Sequence, residues 1–165
     1  MFIIFSHGKE SGPNGAKIQL LTNIAQQLDF ETYSIDYTRC NTVSERVDIL
    51  EGFMKKNAPQ TYILVGSSMG GYVATVAAHS FAIEGLFLMC PALYLPNYPV
   101  QDYHPITTKI EIVHGWQDDI VPYQNSIQFG QKTKAYVHLI QDNHRLSEQR
   151  EFLGAIFRQF LEHLK

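Results

Sequence analysis

Six short apolar runs recur along this chain, and segments with helical spacing separate most of them. The runs, rich in Ile, Val, Leu and Phe, cover residues 2–6, 32–36, 61–65, 84–89, 110–114 and 135–140. Apolar positions repeat with helical spacing over 16–28, 44–56, 69–80 and 147–164, and Ser44 and Ser147 lie where helix N-caps belong. Strands alternating with helices predict an α/β fold in three layers, with a mostly parallel central sheet of about six strands.

Length and charge limit the domain count and the class of partner. The 165 residues predict a single domain, residues 1–165, and the 45% hydrophobic content is typical of a globular protein. The formal net charge of -3 provides no basic field, so we expect neither nucleic acid nor a membrane surface as a partner. A neutral or weakly charged small molecule fits better, and we expect a monomer or homodimer.

Compartment and metal content follow from the first residues and from the cysteines. Residues 1–6 are apolar, but they lack a basic flank and are too few for a signal peptide or a membrane span, which favours a cytoplasmic protein. Cys40 and Cys90 are the only cysteines. Two cysteines exclude a disulfide framework and argue against a thiolate zinc site, so we expect no metal.

The apolar run at 61–65 ends at a turn of small residues that precedes a helix-like segment. Residues 66–70 read G-x-S-x-G, the pattern of a nucleophile elbow, with Ser68 at its centre. A packing turn and a phosphate-binding loop are the alternatives. The phosphate motifs fit poorly, because no lysine follows the last glycine. Ser67 is adjacent, but only Ser68 has glycine two residues away on both sides.

A serine nucleophile needs a base and an orienting acid, and parallel sheets place ligands beyond the carboxyl ends of their strands. Asp118 and Asp119 follow the run at 110–114, and one of them is expected to cap a helix that starts near Pro122. His144 follows the run at 135–140. A solvated surface histidine is the alternative reading of His144. The order Ser, Asp, His is that of α/β hydrolases.

Three motifs together resemble a known superfamily along the whole chain. They are residues 6–9 (SHGK), the elbow at 66–70 and residues 114–122 (HGWQDDIVP), which match an H-G-x-x-D-x-x-V-P segment. The chain therefore resembles a small member of the α/β-hydrolase superfamily, close to the compact bacterial esterase-like group that includes YqiA-like and dienelactone-hydrolase-like proteins. The resemblance selects Asp118 over Asp119. It also implies an oxyanion hole formed by the backbone N–H groups of Lys9 and Met69.

The resemblance also implies that this chain lacks the cap domain of larger members of the superfamily. Cap domains of the superfamily usually enter after the strand that here ends near Cys90, and the segment 91–108 is too short for one, so a minimal core without a cap is expected. Leu93, Tyr94 and Tyr98 of this segment either line a substrate pocket or cover the sheet edge. The Lys9 side chain either reads a substrate carboxylate or points to solvent.

These features predict a serine hydrolase that acts on a small carboxylic ester or thioester. The acyl-enzyme would form on Ser68, with His144 as base and Asp118 as orienting acid, and no metal or organic cofactor is expected. A non-catalytic ligand-binding or scaffolding member of the same fold is the alternative. A dinucleotide-binding domain is disfavoured, because residues 6–12 lack the glycine fingerprint.

Overall fold

A computed structural model describes all residues, 1–165. The strands are β1 (Phe2–Ser6), β2 (Glu31–Ile35), β3 (Tyr62–Ser67), β4 (Gly85–Met89), β5 (Ile110–Gly115) and β6 (Tyr136–Ile140). The helices are α1 (Ala16–Gln27), α2 (Val43–Lys56), α3 (Met69–Ala77), α4 (Tyr123–Thr133) and α5 (Arg150–Glu162). The six predicted strands are all present. The helix α4 adds to the four segments found from apolar spacing.

The strands form one sheet in the order β2-β1-β3-β4-β5-β6, and every neighbouring pair is parallel. The chain leaves β1 toward one edge of the sheet and then returns to build the other side from β3 onward. Strand order therefore reverses between β1 and β3. At such a switch point the loops after the two strands diverge and leave a crevice for a ligand.

Two apolar clusters cover the two faces of the sheet. One contains buried residues of α1 and α5 packed on the strands, and the other contains buried residues of α2, α3 and α4. The three-layer α/β/α architecture predicted from the alternation of elements is therefore confirmed. None of the five helices combines the length and the apolar composition that a membrane span requires.

The predicted N-cap Ser44 of the second helix is wrong by two residues. Thr42 is the cap: its side chain accepts a hydrogen bond from the Glu45 N–H at 3.2 Å, and the Glu45 carboxylate accepts from the Thr42 N–H. This reciprocal capping box satisfies two backbone donors at once. Ser44 lies two residues too late to do so.

The predicted N-cap Ser147 of the last helix is also wrong. The N-cap is Gln149, which makes no side-chain cap, and the buried carboxylate of Asp142 accepts from the Glu148 and Gln149 N–H groups at 3.0 and 2.9 Å. A residue outside the helix therefore binds the two N–H groups that directly precede its first turn, which local sequence spacing does not reveal.

The segment between β4 and β5 packs on the body of the protein instead of forming a cap. Tyr103 of this segment is fully buried, and its hydroxyl donates to the Val100 carbonyl at 2.8 Å. The Val100 N–H in turn donates to the Tyr72 hydroxyl on α3 at 2.9 Å. The absence of a cap domain, expected from the length of this segment, is confirmed.

Candidate active site

Ser68 lies at the tip of the turn between β3 and α3. Its φ of 53° and ψ of -119° are values that a non-glycine residue rarely adopts. Two backbone hydrogen bonds fix the turn: the Ser68 N–H donates to the Met89 carbonyl, and the Ala92 N–H donates to the Ser68 carbonyl, both at 2.9 Å. Neighbouring backbone therefore maintains the unusual conformation that presents the hydroxyl group.

The glycines of the elbow are required because other backbone segments approach them too closely to leave room for a side chain. A Cβ at Gly70 would overlap the backbone of Ser6 and His7, and a Cβ at Gly66 would overlap the backbone of Gly70. No glycine of the chain has a positive φ. The pattern G-x-S-x-G is thus explained here by the tight packing of α3 against the ends of β1 and β3.

Ser68, His144 and Asp118 lie in one hydrogen-bonded row. His144 Nε2 is 3.0 Å from Ser68 Oγ, and His144 Nδ1 is 2.6 Å from Asp118 Oδ2. The Asp118 side chain is fully buried, and that of His144 is 17% exposed. Because a carboxylate only accepts, Nδ1 carries the proton and Nε2 is free to accept the serine proton.

Four donors surround the Asp118 carboxylate. Oδ2 accepts from His144 Nδ1 and lies 2.9 Å from His114 Nε2, whose N–H also faces the Val121 carbonyl oxygen. Oδ1 accepts from the N–H groups of Ile120 and Val121 at 2.9 and 2.8 Å. Burial favours the neutral acid, but these hydrogen bonds outweigh burial and hold the pKa of Asp118 well below its usual range. Asp118 therefore stays ionised beside the imidazole.

Asp119 has a different environment from its neighbour. It is exposed and makes no hydrogen bond to His144. The expectation that Asp118 or Asp119 caps the helix near Pro122 is wrong, because α4 begins after Pro122 without any side-chain cap. The Asp118 carboxylate binds the two N–H groups of the loop before that helix instead.

His114 is a part of the site whose role sequence reasoning missed. Its imidazole is fully buried, and its Nε2 lies 2.9 Å from Asp118 Oδ2 and 3.0 Å from the Val121 carbonyl oxygen. The Ser126 hydroxyl is 2.7 Å from Nδ1, which fits a neutral ring that donates through Nε2. The signal was available in the sequence, since His114 opens the segment that supplied Asp118.

The loop after β1 passes directly over Ser68, because a Cβ at Gly8 would lie 3.5 Å from that of Ser68. Buried His7 donates from Nδ1 to the Gly8 carbonyl at 2.7 Å and accepts from the Tyr37 N–H at 2.9 Å. Burial lowers the pKa of His7, which favours this neutral form. In a trans peptide C=O and N–H are opposed, so the Lys9 N–H points away from the groups that hold this carbonyl.

Arg46 of α2 binds the same loop after β1 and was not identified from the sequence. It is 5% exposed, and its Nη1 donates to the carbonyls of His7 and Gly8 at 3.2 and 3.4 Å. It shares the buried face of α2 with Leu50 and Met54, at a spacing of four residues. A charged residue within an apolar helical stripe was the sequence signal for it.

Met69 is the first residue of α3, so its N–H has no partner within the helix. Lys9, Ser68, Met69 and His144 all line one open cavity of about 1040 Å³. The two residues whose N–H groups were named from the resemblance thus line the same cavity as the serine. This cavity occupies the crevice at the switch point between β1 and β3.

Of the three residues predicted to line the substrate pocket, only Tyr98 does so, and Leu93 and Tyr94 pack elsewhere. Tyr98 lines the cavity. Leu93 is fully buried in the core, and Tyr94, with a φ of 56°, packs its ring against Tyr103 with centroids 5.1 Å apart. Leu95 lines the cavity in their place. The Lys9 side chain is exposed at the cavity wall.

Cys90, Asp118 and His144 could be considered as a metal site, since one ligand atom of each lies within 4.8 Å of the others. Burial raises the pKa of the Cys90 thiol to about 12, so at neutral pH the sulfur keeps its proton. Metal binding needs the thiolate. The Asp118 oxygens are also occupied by four donors, so this donor set does not fit a metal ion.

Solved structures with the same fold support the assignment of a class. A proposed hydrolase of the alpha/beta superfamily from Xanthomonas campestris pv. campestris is 27% identical, with a TM-score of 0.89 and 98% coverage of both chains. Est1E from Butyrivibrio proteoclasticus is 18% identical, with a TM-score of 0.85 over 99% of this chain and 87% of its own. A serine hydrolase without a lid from Xanthomonas campestris is 14% identical, with a TM-score of 0.78 over 98% and 81%.

The parallel sheet, the strand-turn-helix elbow and these neighbours define an α/β-hydrolase fold without a cap domain, and the neighbours indicate a hydrolase. The chain belongs to the uncharacterised protein family UPF0227, whose model matches residues 2–105. The resemblance to the compact YqiA-like group is thereby confirmed. No curated protein sequence matches the chain significantly.

Proposed function

We propose that this protein is a serine hydrolase that cleaves small carboxylic esters or thioesters through an acyl-enzyme on Ser68. The observation that carries the proposal is the row Ser68 Oγ, His144 Nε2, His144 Nδ1 and Asp118 Oδ2, with contacts of 3.0 and 2.6 Å. Each contact has the donor and acceptor that nucleophilic acyl transfer requires.

In the first half-reaction Ser68 Oγ attacks the substrate carbonyl while His144 Nε2 takes the hydroxyl proton. The imidazolium then gives this proton to the leaving oxygen or sulfur as its bond to the acyl carbon breaks. Water repeats the sequence on the acyl-enzyme and releases the acid. The ionised Asp118 keeps the His144 ring in the correct tautomer and stabilises its charged form.

The N–H groups of Lys9 and Met69 would donate to the oxyanion that develops on the carbonyl oxygen. His7 and Arg46 support this role, because they hold the Gly8 carbonyl on the side opposite to the Lys9 N–H. Preorganised donors of this kind are each typically associated with a rate factor of about 100 to 1,000. The mechanism uses no metal or organic cofactor.

The descriptions of two neighbours are consistent with this proposal. One is a serine hydrolase without a lid, and another structure shows ferulic acid bound to Est1E. Both are under 25% identical to this chain, so they support the fold and leave the substrate to experiment. The open cavity above Ser68 would admit a small acyl group without the movement of a cap.

The test is hydrolysis of 4-nitrophenyl acetate together with labelling by a fluorophosphonate probe. We expect Ser68→Ala to abolish both while the far-ultraviolet circular dichroism stays unchanged. Ser80→Ala, which alters an exposed serine beyond the far end of α3, is the matched control and should keep both. A label on Ser67, or full activity of Ser68→Ala, would disprove the proposal. Ligand binding without turnover would favour a binding protein of the same fold.

A further inference from the structure

The cavity above Ser68 is more basic than the rest of the protein. Four cationic side chains and two carboxylates line it, namely Lys9, Lys17, Arg145 and Arg150 against Glu10 and Asp119. The whole chain has a net charge of -3. None of the four cations is among the ion pairs of the structure. The four cations therefore line the cavity without forming an ion pair with a carboxylate.

Lys17 is the cation of this group that is partly buried. Its Nζ donates to the His144 carbonyl oxygen at 3.3 Å, and it makes no other hydrogen bond. An ammonium group has three N–H donors, so two remain for a ligand. The contact with His144 places this charge beside the proposed base, at the same end of the cavity as the nucleophile.

The location of Lys17 is unfavourable for the folded protein without a ligand. It lies in the first turn of α1, where the positive end of the helix dipole disfavours a cation, and that turn contains no acidic residue. Burial also lowers the pKa of Lys17, because the charged form loses water, and the nearby Asp118 and Asp142 carboxylates offset this only in part. An anion bound at Nζ would offset both effects.

We propose that the preferred substrates of this hydrolase carry an anionic group, a carboxylate or phosphate, which Lys17 binds. Lys9, Arg145 and Arg150 surround the same space with exposed cationic groups and add attraction at longer range. This inference rests on the proposed esterase or thioesterase function. It differs from the neutral substrate that the net charge of the chain favoured, because overall charge does not describe the field inside a cavity.

The anion could belong to the acyl part or to the leaving group, since both extend from a carbonyl held at Ser68. Two pairs of esters distinguish these sources. 4-Nitrophenyl hydrogen adipate and its methyl ester test the acyl part, and 4-acetoxyphenylacetate and its methyl ester test the leaving group. Each anion differs from its partner only by one methyl group at a site remote from the reacting carbonyl.

We expect kcat/KM to favour the anionic ester in at least one pair by about tenfold to a hundredfold, as for a charge-assisted hydrogen bond. Lys17→Met should reduce this preference, measured as the ratio of the two kcat/KM values within a pair, by about tenfold. Lys56→Met removes an exposed lysine on α2, far from the cavity lining, and should keep the full preference. Added salt should weaken the preference, because it screens the exposed cations.

Lys17→Met could alter the position of His144, because Lys17 donates to the His144 carbonyl oxygen. Arg150→Met, tested alone, removes a cavity cation without breaking that contact. It should lower the anionic preference by a smaller factor, since Arg150 is exposed. Equal kcat/KM values within both ester pairs would overturn the inference. A preference that survives unchanged in Lys17→Met and Arg150→Met would overturn it as well.

The outcomes separate this inference from the proposed function. Ser68-dependent hydrolysis of the neutral esters without an anionic preference leaves the hydrolase proposal intact and removes the inference. If no ester is hydrolysed, the hydrolase proposal fails. Calorimetric titration of Ser68→Ala with 4-nitrophenyl hydrogen adipate then still decides the anion site: Lys17-dependent binding supports it, and absence of binding refutes it.

Discussion

The buried imidazole of His114 contacts the same carboxylate oxygen of Asp118 that His144 contacts, at 2.9 Å. The Asp118 Oδ2 atom thus lies between two imidazoles, with His144 Nδ1 at 2.6 Å on the cavity side. The inner ring and two loop N–H groups fix the acid, so that only one lone-pair direction remains for the outer ring. Asp118 is therefore held rigidly before it orients the base.

Asp118→Asn should lower kcat for 4-nitrophenyl acetate by about a thousandfold or more, because an amide does not hold the imidazole in the tautomer that accepts the serine proton. Asp119→Asn, which changes the neighbouring exposed residue, should retain the greater part of the activity. Steady-state kinetics of both variants decide between the two aspartates. Comparable losses in the two would contradict the assignment of Asp118.

The same aspartate should contribute to stability in a pH-dependent way. Its pKa in the folded protein is held below the value of about 3.9 expected in the unfolded chain, so its ionised form stabilises the fold above about pH 4 and this contribution is lost as the pH falls. We expect the free energy of unfolding of the wild type to approach that of Asp118→Asn between about pH 6 and pH 3. Urea denaturation at several pH values measures the difference.

The control for this pH dependence is Asp48→Asn, which removes an exposed carboxylate on α2 that is in none of the ion pairs of the structure. Its difference from the wild type should stay nearly constant over the same pH range. A constant difference for Asp118→Asn as well would show that the ionisation of Asp118 does not stabilise the fold.

Arg46→Met should lower kcat by about tenfold with little change in KM, because the Lys9 N–H loses part of its alignment and the oxyanion donor acts mainly in the transition state. Arg39→Met, which removes an exposed arginine from the loop before α2, is the matched control and should leave kcat unchanged. A rise in KM with constant kcat would instead indicate that Arg46 contributes to ground-state binding.

Gly70→Ala should destabilise the protein by about 1–3 kcal/mol or more, because the added Cβ overlaps the backbone at the end of β1. Gly52→Ala provides the opposite case. Nothing lies within 4 Å of a Cβ at Gly52, which is in the interior of α2, so alanine there should stabilise the protein by about 0.5–1 kcal/mol. Urea denaturation of both variants should show shifts of opposite sign.

The parts predicted well from the sequence depend on periodicity and on strand ends. The strands follow from the apolar runs. Ser68 was found from the G-x-S-x-G pattern, His144 from its position after a strand, and Asp118 was selected by the family resemblance. A parallel sheet brings the carboxyl ends of all these strands to one edge. Their grouping in space is thus a consequence of topology. Their chemical roles remain a proposal.

The parts that could not be predicted depend on backbone direction and on contacts distant in sequence. Cys90 and Tyr94 have φ values of 42° and 56°, which turn the chain so that Leu93 enters the core while Tyr98 reaches the cavity. No apolar pattern encodes these angles. The contacts of Asp142 with the N–H groups just before α5 could not be predicted for the same reason, because the acceptor is distant from them in sequence.

The pairing of α1 and α5 on one face of the sheet has a consequence for synthesis on the ribosome. Four buried residues of α1 and six buried residues of α5 and its C-terminal turn belong to one apolar cluster. Until residues 150–164 have emerged from the ribosome, the nascent chain therefore exposes an apolar surface that α1 alone does not cover. His144 lies six residues before α5, so the growing polypeptide gains its last proposed catalytic residue shortly before the helix that covers this surface.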